Sequence, residues 1–168
     1  MSLEPKKREA GAATETRDRS NAVIRPPIAW ALAFAAGLAI NWLYPLRWIA
    51  ATWPNVWIGV LVFAVGLALA IWAFVTFRRA GTRVETTEPT MAIVTHGPYR
   101  FTRNPIYLGM FLGQTGPAIG FNNLWILAML IPFHLVLRYG VVAREEAYLE
   151  HKFGGVYSDY KSRVRRWL

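Results

Sequence analysis

The chain has 168 residues, 54% of them hydrophobic, and a net charge of +9. A basic chain can point to nucleic acid, but these apolar residues gather into long uncharged runs, the pattern of a membrane protein. There is no cysteine and there are only three scattered histidines, which excludes a disulfide frame and a Cys- or His-based metal site.

Residues 1–27 are polar, carry Lys6, Lys7, Arg8, Arg17, Arg19 and Arg25, and have no core pattern. They read as a disordered tail, with no signal-peptide pattern. Residues 28–46 contain no Asp, Glu, Lys or Arg and are long enough to span. Trp42, Tyr44 and Trp48 stand at the far end like an interfacial aromatic belt. After a turn containing Trp53-Pro54, residues 55–77 form a second uncharged span. Gly59, Ala64, Gly66, Ala68 and Ala70 permit close helix packing there, and Arg78-Arg79 stop it.

A polar segment, 81–103, follows. Within it Met91-Ala92-Ile93-Val94-Thr95 is short and apolar, fit to line a pocket or lie in the interface. The densest stretch is His96-Gly97-Pro98-Tyr99-Arg100-Phe101-Thr102-Arg103-Asn104-Pro105-Ile106-Tyr107. Gly-Pro breaks regular structure, while Asn104-Pro105 reads as an N-cap and first helical residue. Such a helix start presents free N–H groups to an anion. Residues 105–137 carry no charge but are interrupted at Gly116-Pro117 and at 120–123. They predict a helical hairpin, about 105–120 and 123–143, with a short first arm and a kink at Pro132. Residues 144–168 are amphipathic. Leu149, Phe153, Tyr157, Tyr160, Val164 and Trp167 recur at helical spacing, and Gly154-Gly155 interrupt the pattern.

The expected architecture is therefore an all-α integral membrane protein: a tail at 1–27, one domain at 28–168 with about four transmembrane helices, a C-terminal hairpin and a cytosolic amphipathic end. Six basic residues precede the first span, five lie at 78–104 and six follow the fourth span. The positive-inside rule then places both termini and the 78–104 loop in the cytosol, in a multi-pass inner (cytoplasmic) membrane protein. Small-residue faces leave a homodimer open.

This topology brings two polar regions to one face. Arg138 and Glu145, seven apart, would share one side of an α-helix. Arg138 is a functional candidate at the edge of an apolar span, with snorkelling as the plainer account. His134 reads as a packing residue, His96 as a loop residue, His151 as solvent-facing, and Gln114 as a cross-helix hydrogen bonder. The Phe153, Tyr157, Tyr160 stripe reads as packing, and Lys161 to Arg166 as a site for anionic headgroups.

Gly97-Pro98-Tyr99, Arg103-Asn104-Pro105-x-Tyr107, Glu145-Glu146-x-x-Leu149 and Phe153-Gly154-x-x-Tyr157-x-x-Tyr160-x-x-x-Val164, in this order and spacing, resemble the isoprenylcysteine carboxyl methyltransferase family. The related phospholipid N-methyltransferases share the broad plan. The resemblance covers about residues 55–168. It implies a membrane methyltransferase that uses S-adenosylmethionine without a Rossmann domain. It also implies a cofactor pocket of Met91, Ala92, Ile93, Val94, Tyr99, Asn104, Pro105, Ile106, Tyr107 and Glu145. Two positions depart from the family. Asn104 replaces a histidine, and Val141 replaces the substrate-side arginine, for which Arg138 or Arg144 could stand in.

The expected activity is methyl transfer to a lipid-like or prenylcysteine-like carboxylate, with the bilayer and a lipid or small hydrophobic acceptor as partners and no nucleic acid. Phospholipid amine N-methylation, with Glu146 as base, is one alternative. A non-enzymatic lipid-binding module and a nicotinamide-dependent reductase are others. A carboxylate can hold the cofactor's cationic or hydroxyl groups, and aromatic faces favour a sulfonium. Methyl transfer is an in-line displacement, so positioning and exclusion of water can carry catalysis.

Overall fold

The computed structural model describes residues 22–48, 54–81 and 92–168. Among these there is no strand. Helix α1 is Pro26–Leu43 and α2 is Pro54–Arg79. A 3₁₀ turn, Gly97–Arg100, leads to α3, Pro105–Gly120. The long α4 is Leu124–Phe153, and α5 is Gly155–Arg163. Residues 1–21 of the expected tail at 1–27, residues 49–53 of the expected turn at 47–54, and residues 82–91 lie outside the described residues, while the rest of that tail leads into α1 at Pro26.

Proline starts three of these helices. It has no N–H to lose, and its fixed φ suits the first turn of α1, α2 and α3. Arg78 and Arg79 close α2 where the helix dipole favours cations. Helices α1, α2 and α4 are long and apolar enough to cross a membrane. Helix α3 is not: its 16 residues rise about 24 Å, short of a hydrocarbon core of roughly 30 Å. The four predicted spans thus become three long helices and a shorter one packed against α2.

That packing is backbone to backbone. A Cβ placed on Gly59 would lie 2.6 Å from the Gly116 carbonyl oxygen, and one on Gly109 would lie 2.7 Å from the Gly66 carbonyl oxygen. Only glycine fits such contacts, and small residues are what lets membrane helices approach. Gly59→Ala is therefore expected to destabilise the fold by about 1–3 kcal/mol, because the atoms it meets are backbone and cannot swing aside. Thermal unfolding in detergent micelles measures this, and an unchanged midpoint would contradict it. Of the small residues read as a packing face, Gly59, Gly66 and Ala70 meet α3, whereas Ala64 and Ala68 are exposed.

Helix α4 runs ten residues past the expected 143, so the glutamate pair belongs to this helix and not to a separate tail. It ends at Gly154, whose φ of +52° is costly for other residues. The α-helix is interrupted by a turn at Met129, just before Pro132, and a π-helical segment follows at Val136–Val142. The Gly140 carbonyl there accepts from the Val23 N–H at 3.0 Å, which ties the start of α1 to α4. The core beside it is Ala29, Tyr107, Phe133, Leu137, Val141 and Val142. After α5 the last five residues return across the start of α3, and Trp167 packs on Phe111 and His134 with ring centroids 5.7 and 5.4 Å away.

Candidate active site

A cavity of about 740 Å³ lies among all five helices and the 3₁₀ turn. This is within the usual range for small-molecule sites, roughly 300–1,000 Å³. Its walls are unlike one another. Ile28, Ile71, Phe74 and Met110 make an apolar side; Tyr107, Glu145, Glu146, Arg103 and Asn104 make a polar one.

At the polar wall the Tyr107 hydroxyl donates to Glu145 Oε1 at 2.8 Å, joining the first turn of α3 to α4. The neighbouring carboxylate, Glu146, is held differently. Arg166 donates to its two oxygens at 2.9 and 2.6 Å, and Arg103 lies 3.1 Å from Oε1. The Arg103 and Glu146 side chains are each 9% exposed. Arg103 also reaches the Tyr157 hydroxyl at 3.5 Å.

The third group is aromatic. Tyr99 packs against Phe77 with centroids 5.6 Å apart, and its carbonyl accepts from the Tyr160 hydroxyl at 2.7 Å. Tyr157 stands 6.2 Å from Tyr160, ring to ring. Burial raises the Tyr99 and Tyr160 phenols well above their ordinary value and pushes Tyr157 up from 10.0 to about 12. These hydroxyls stay neutral donors at physiological pH. A phenol held protonated in the fold stabilises it fully below the unfolded value and less as pH climbs through the folded one. Stability is therefore expected to fall between pH 10.0 and about 12, read as a declining thermal midpoint in detergent, and to be flat just below that window as far as these tyrosines are concerned.

Most of the expected site residues meet at this cavity. Ala92, Ile93, Val94, Tyr99, Asn104, Pro105, Ile106, Tyr107, Glu145 and Glu146 all line it, while Met91 lies outside the described residues. Asn104 occupies the predicted N-cap position but makes no side-chain cap bond. Its Nδ2 instead donates to the Arg166 carbonyl at 2.9 Å.

Arg138 and Arg144 do not line the cavity. Both are exposed, and the Arg138 guanidinium lies over the Tyr139 ring at 5.4 Å. The seven-residue spacing assumed an unbroken α-helix. The π segment takes more residues per turn and rotates Arg138 away from the face that carries Glu145. Val141, where the resembled family carries an arginine, is fully buried in the core. Glu146, expected as a base for an amine acceptor, has both oxygens engaged by guanidinium groups.

The arginines that do line the cavity are Arg25 and Arg103. Tyr157 and Tyr160, read as packing residues, line it as well. Arg103 had a visible signal, its place next to Asn104-Pro105. The two tyrosines had only a three-residue spacing, which fits packing and lining equally.

Comparison with known proteins adds two findings. A family model described as phospholipid methyltransferase matches residues 54–155. An uncharacterized protein of Haemophilus influenzae (strain ATCC 51907 / DSM 11121 / KW20 / Rd) is 53% identical over 47 residues, which is 28% of this chain and 73% of that protein.

Proposed function

The chain belongs to the phospholipid methyltransferase family, a membrane methyltransferase family, and on that footing we propose that its cavity binds S-adenosylmethionine and directs the methyl group to an apolar-tailed carboxylate. The observation that carries this reading is the two-sided cavity. Ile28 of α1 and Ile71 and Phe74 of α2 line it and are 49%, 53% and 43% exposed, so its apolar wall is accessible and not sealed. A lipid chain fits that wall while its head reaches Glu145 and Tyr107.

The residues present fit the cofactor. Glu145 offers a carboxylate for its cationic or hydroxyl groups, and Tyr99, Tyr157 and Tyr160 supply aromatic faces of the kind that attract a sulfonium. The start of α3 is free of a side-chain cap and suits a carboxylate. Bound there, the cofactor supplies an activated methyl group. The chain's own contribution is to orient the acceptor along the apolar wall, keep water out and hold the phenols neutral.

A carboxylate acceptor is already an anion and needs no base, which agrees with Glu146 being held by the Arg166 and Arg103 guanidinium groups. An amine acceptor would need one. The distribution of Lys and Arg supports a cytosolic position for the cavity mouth and both termini.

Incubating the detergent-purified protein with methyl-labelled S-adenosylmethionine and bacterial lipid extract tests this. Label that enters lipid and is released as methanol by mild base is the expected result, because methyl esters hydrolyse and N-methyl groups do not. Base-stable label would move the assignment to amine methylation. No cofactor binding at millimolar concentration would favour the lipid-binding module.

A further inference from the structure

The five residues after α5 lie beyond the stretch matched by the family model, yet they touch the polar wall at several points. Three consecutive residues before α3 are held by them. The Thr102 hydroxyl donates to the Arg166 carbonyl at 3.2 Å, the Arg103 N–H to the Arg165 carbonyl at 3.0 Å, and Asn104 Nδ2 to the Arg166 carbonyl at 2.9 Å. The Arg166 side chain crosses in the other direction and grips both oxygens of Glu146 on α4. Trp167 anchors the end between α3 and α4.

We propose that residues 164–168 form a strap that sets the distance between the start of α3 and the glutamate pair of α4, with Arg166 as the positioning residue for the cofactor site. This rests on the cofactor reading above.

The physical case is one of geometry and charge. Tyr107 and Glu145 come from the two elements the strap joins, Tyr107 three residues from Asn104 and Glu145 one residue from Glu146. A 2.8 Å contact between them requires those elements to keep their spacing. Asn104 spends its amide on the strap and not on capping its own helix. Bidentate guanidinium–carboxylate pairing fixes orientation as well as distance, which a point charge does not. The basic end is thus largely engaged within the molecule: Lys161 pairs with Glu150, Arg163 with Asp159 and Arg166 with Glu146.

The test compares Arg166→Ala, Arg166→Lys and, as a control one residue before the strap, Arg163→Ala in the full chain. Amide hydrogen exchange is measured without ligand, and S-adenosylmethionine affinity by calorimetry. Arg166→Ala is expected to speed exchange locally over residues 101–107 and to weaken cofactor binding about tenfold, the effect of losing roughly 1.4 kcal/mol of binding energy, with the chain still folded because Arg103 remains on Glu146. Arg166→Lys should recover part of the affinity. Millimolar ethylguanidinium should restore the affinity of Arg166→Ala by returning a guanidinium to Glu146, and Arg163→Ala should match the wild type.

Unchanged exchange at 101–107 would overturn the strap. So would unchanged affinity, or a loss of affinity that follows global unfolding. If the wild type itself binds no cofactor, the proposed function fails, and the exchange comparison still decides whether the strap holds the α3 start.

Discussion

Glu145→Ala is expected to weaken S-adenosylmethionine binding by about 100-fold while leaving the chain folded. A hydrogen bond to a charged group is worth roughly 1.5–3 kcal/mol, and each 1.4 kcal/mol is about a factor of ten in affinity. Folding loses less. The side chain's partner on α3 is the single Tyr107 hydroxyl, and that phenol lines the cavity, where water can replace the lost acceptor. Calorimetry on detergent-purified protein, with the thermal midpoint taken on the same sample, separates the two effects. A folded variant with wild-type affinity would remove Glu145 from the cofactor site and take the main support from the methyl-donor reading.

The next residue should behave in the opposite way. Glu146→Ala is expected to cost about 3–5 kcal/mol of stability, since it strips the carboxylate from two guanidinium groups, one of them on a side chain only 9% exposed. The Arg103 guanidinium then keeps the Tyr157 hydroxyl at 3.5 Å but loses its carboxylate counter-ion. A lowered thermal midpoint, or loss of folded protein on extraction, is the expected reading. Glu146→Gln should be milder because it keeps two acceptor lone pairs on one oxygen. If Glu146→Ala proved as stable as the wild type, the ion-pair account of this wall would fall, and with it much of the reason for treating the strap as a positioning device. Adjacent glutamates with separate phenotypes, one in binding and one in stability, would be hard to obtain from a scaffold without a site.

Much of this arrangement was readable along the chain. Uncharged runs marked the membrane helices because hydrocarbon accepts few ions, and this constraint acts on every residue of a span. Asn104-Pro105 marked the start of α3, and Gly154 marked a break in the helical pattern, because both are local backbone requirements; that α4 runs on past 143 to that glycine was not legible. The order of Tyr99, Asn104, Tyr107 and Glu145 pointed to a shared site, and all four line one cavity. The short first arm of the hairpin was also visible in its length.

What failed depended on contacts between distant residues. Arg138 looked like a neighbour of Glu145 because spacing was counted on an ideal helix. The π segment that turns it away stands where α4 meets the chain before α1, through Val23 and Gly140. Glu146 looked available as a base for an amine acceptor because its ion-pair partners lie far along the chain. Arg166 is twenty residues on and Arg103 more than forty back. Asn104 was placed correctly as a helix start, yet its amide serves the C-terminal strap. The sequence by itself determined the class of fold, the helix start at Asn104-Pro105 and the residue types of the site, because those follow from local chemistry and from the solvent each stretch must face. The tertiary structure alone decided which charges are spent on one another and which side chains reach the cavity, because pairing and helix phase are properties of elements once packed.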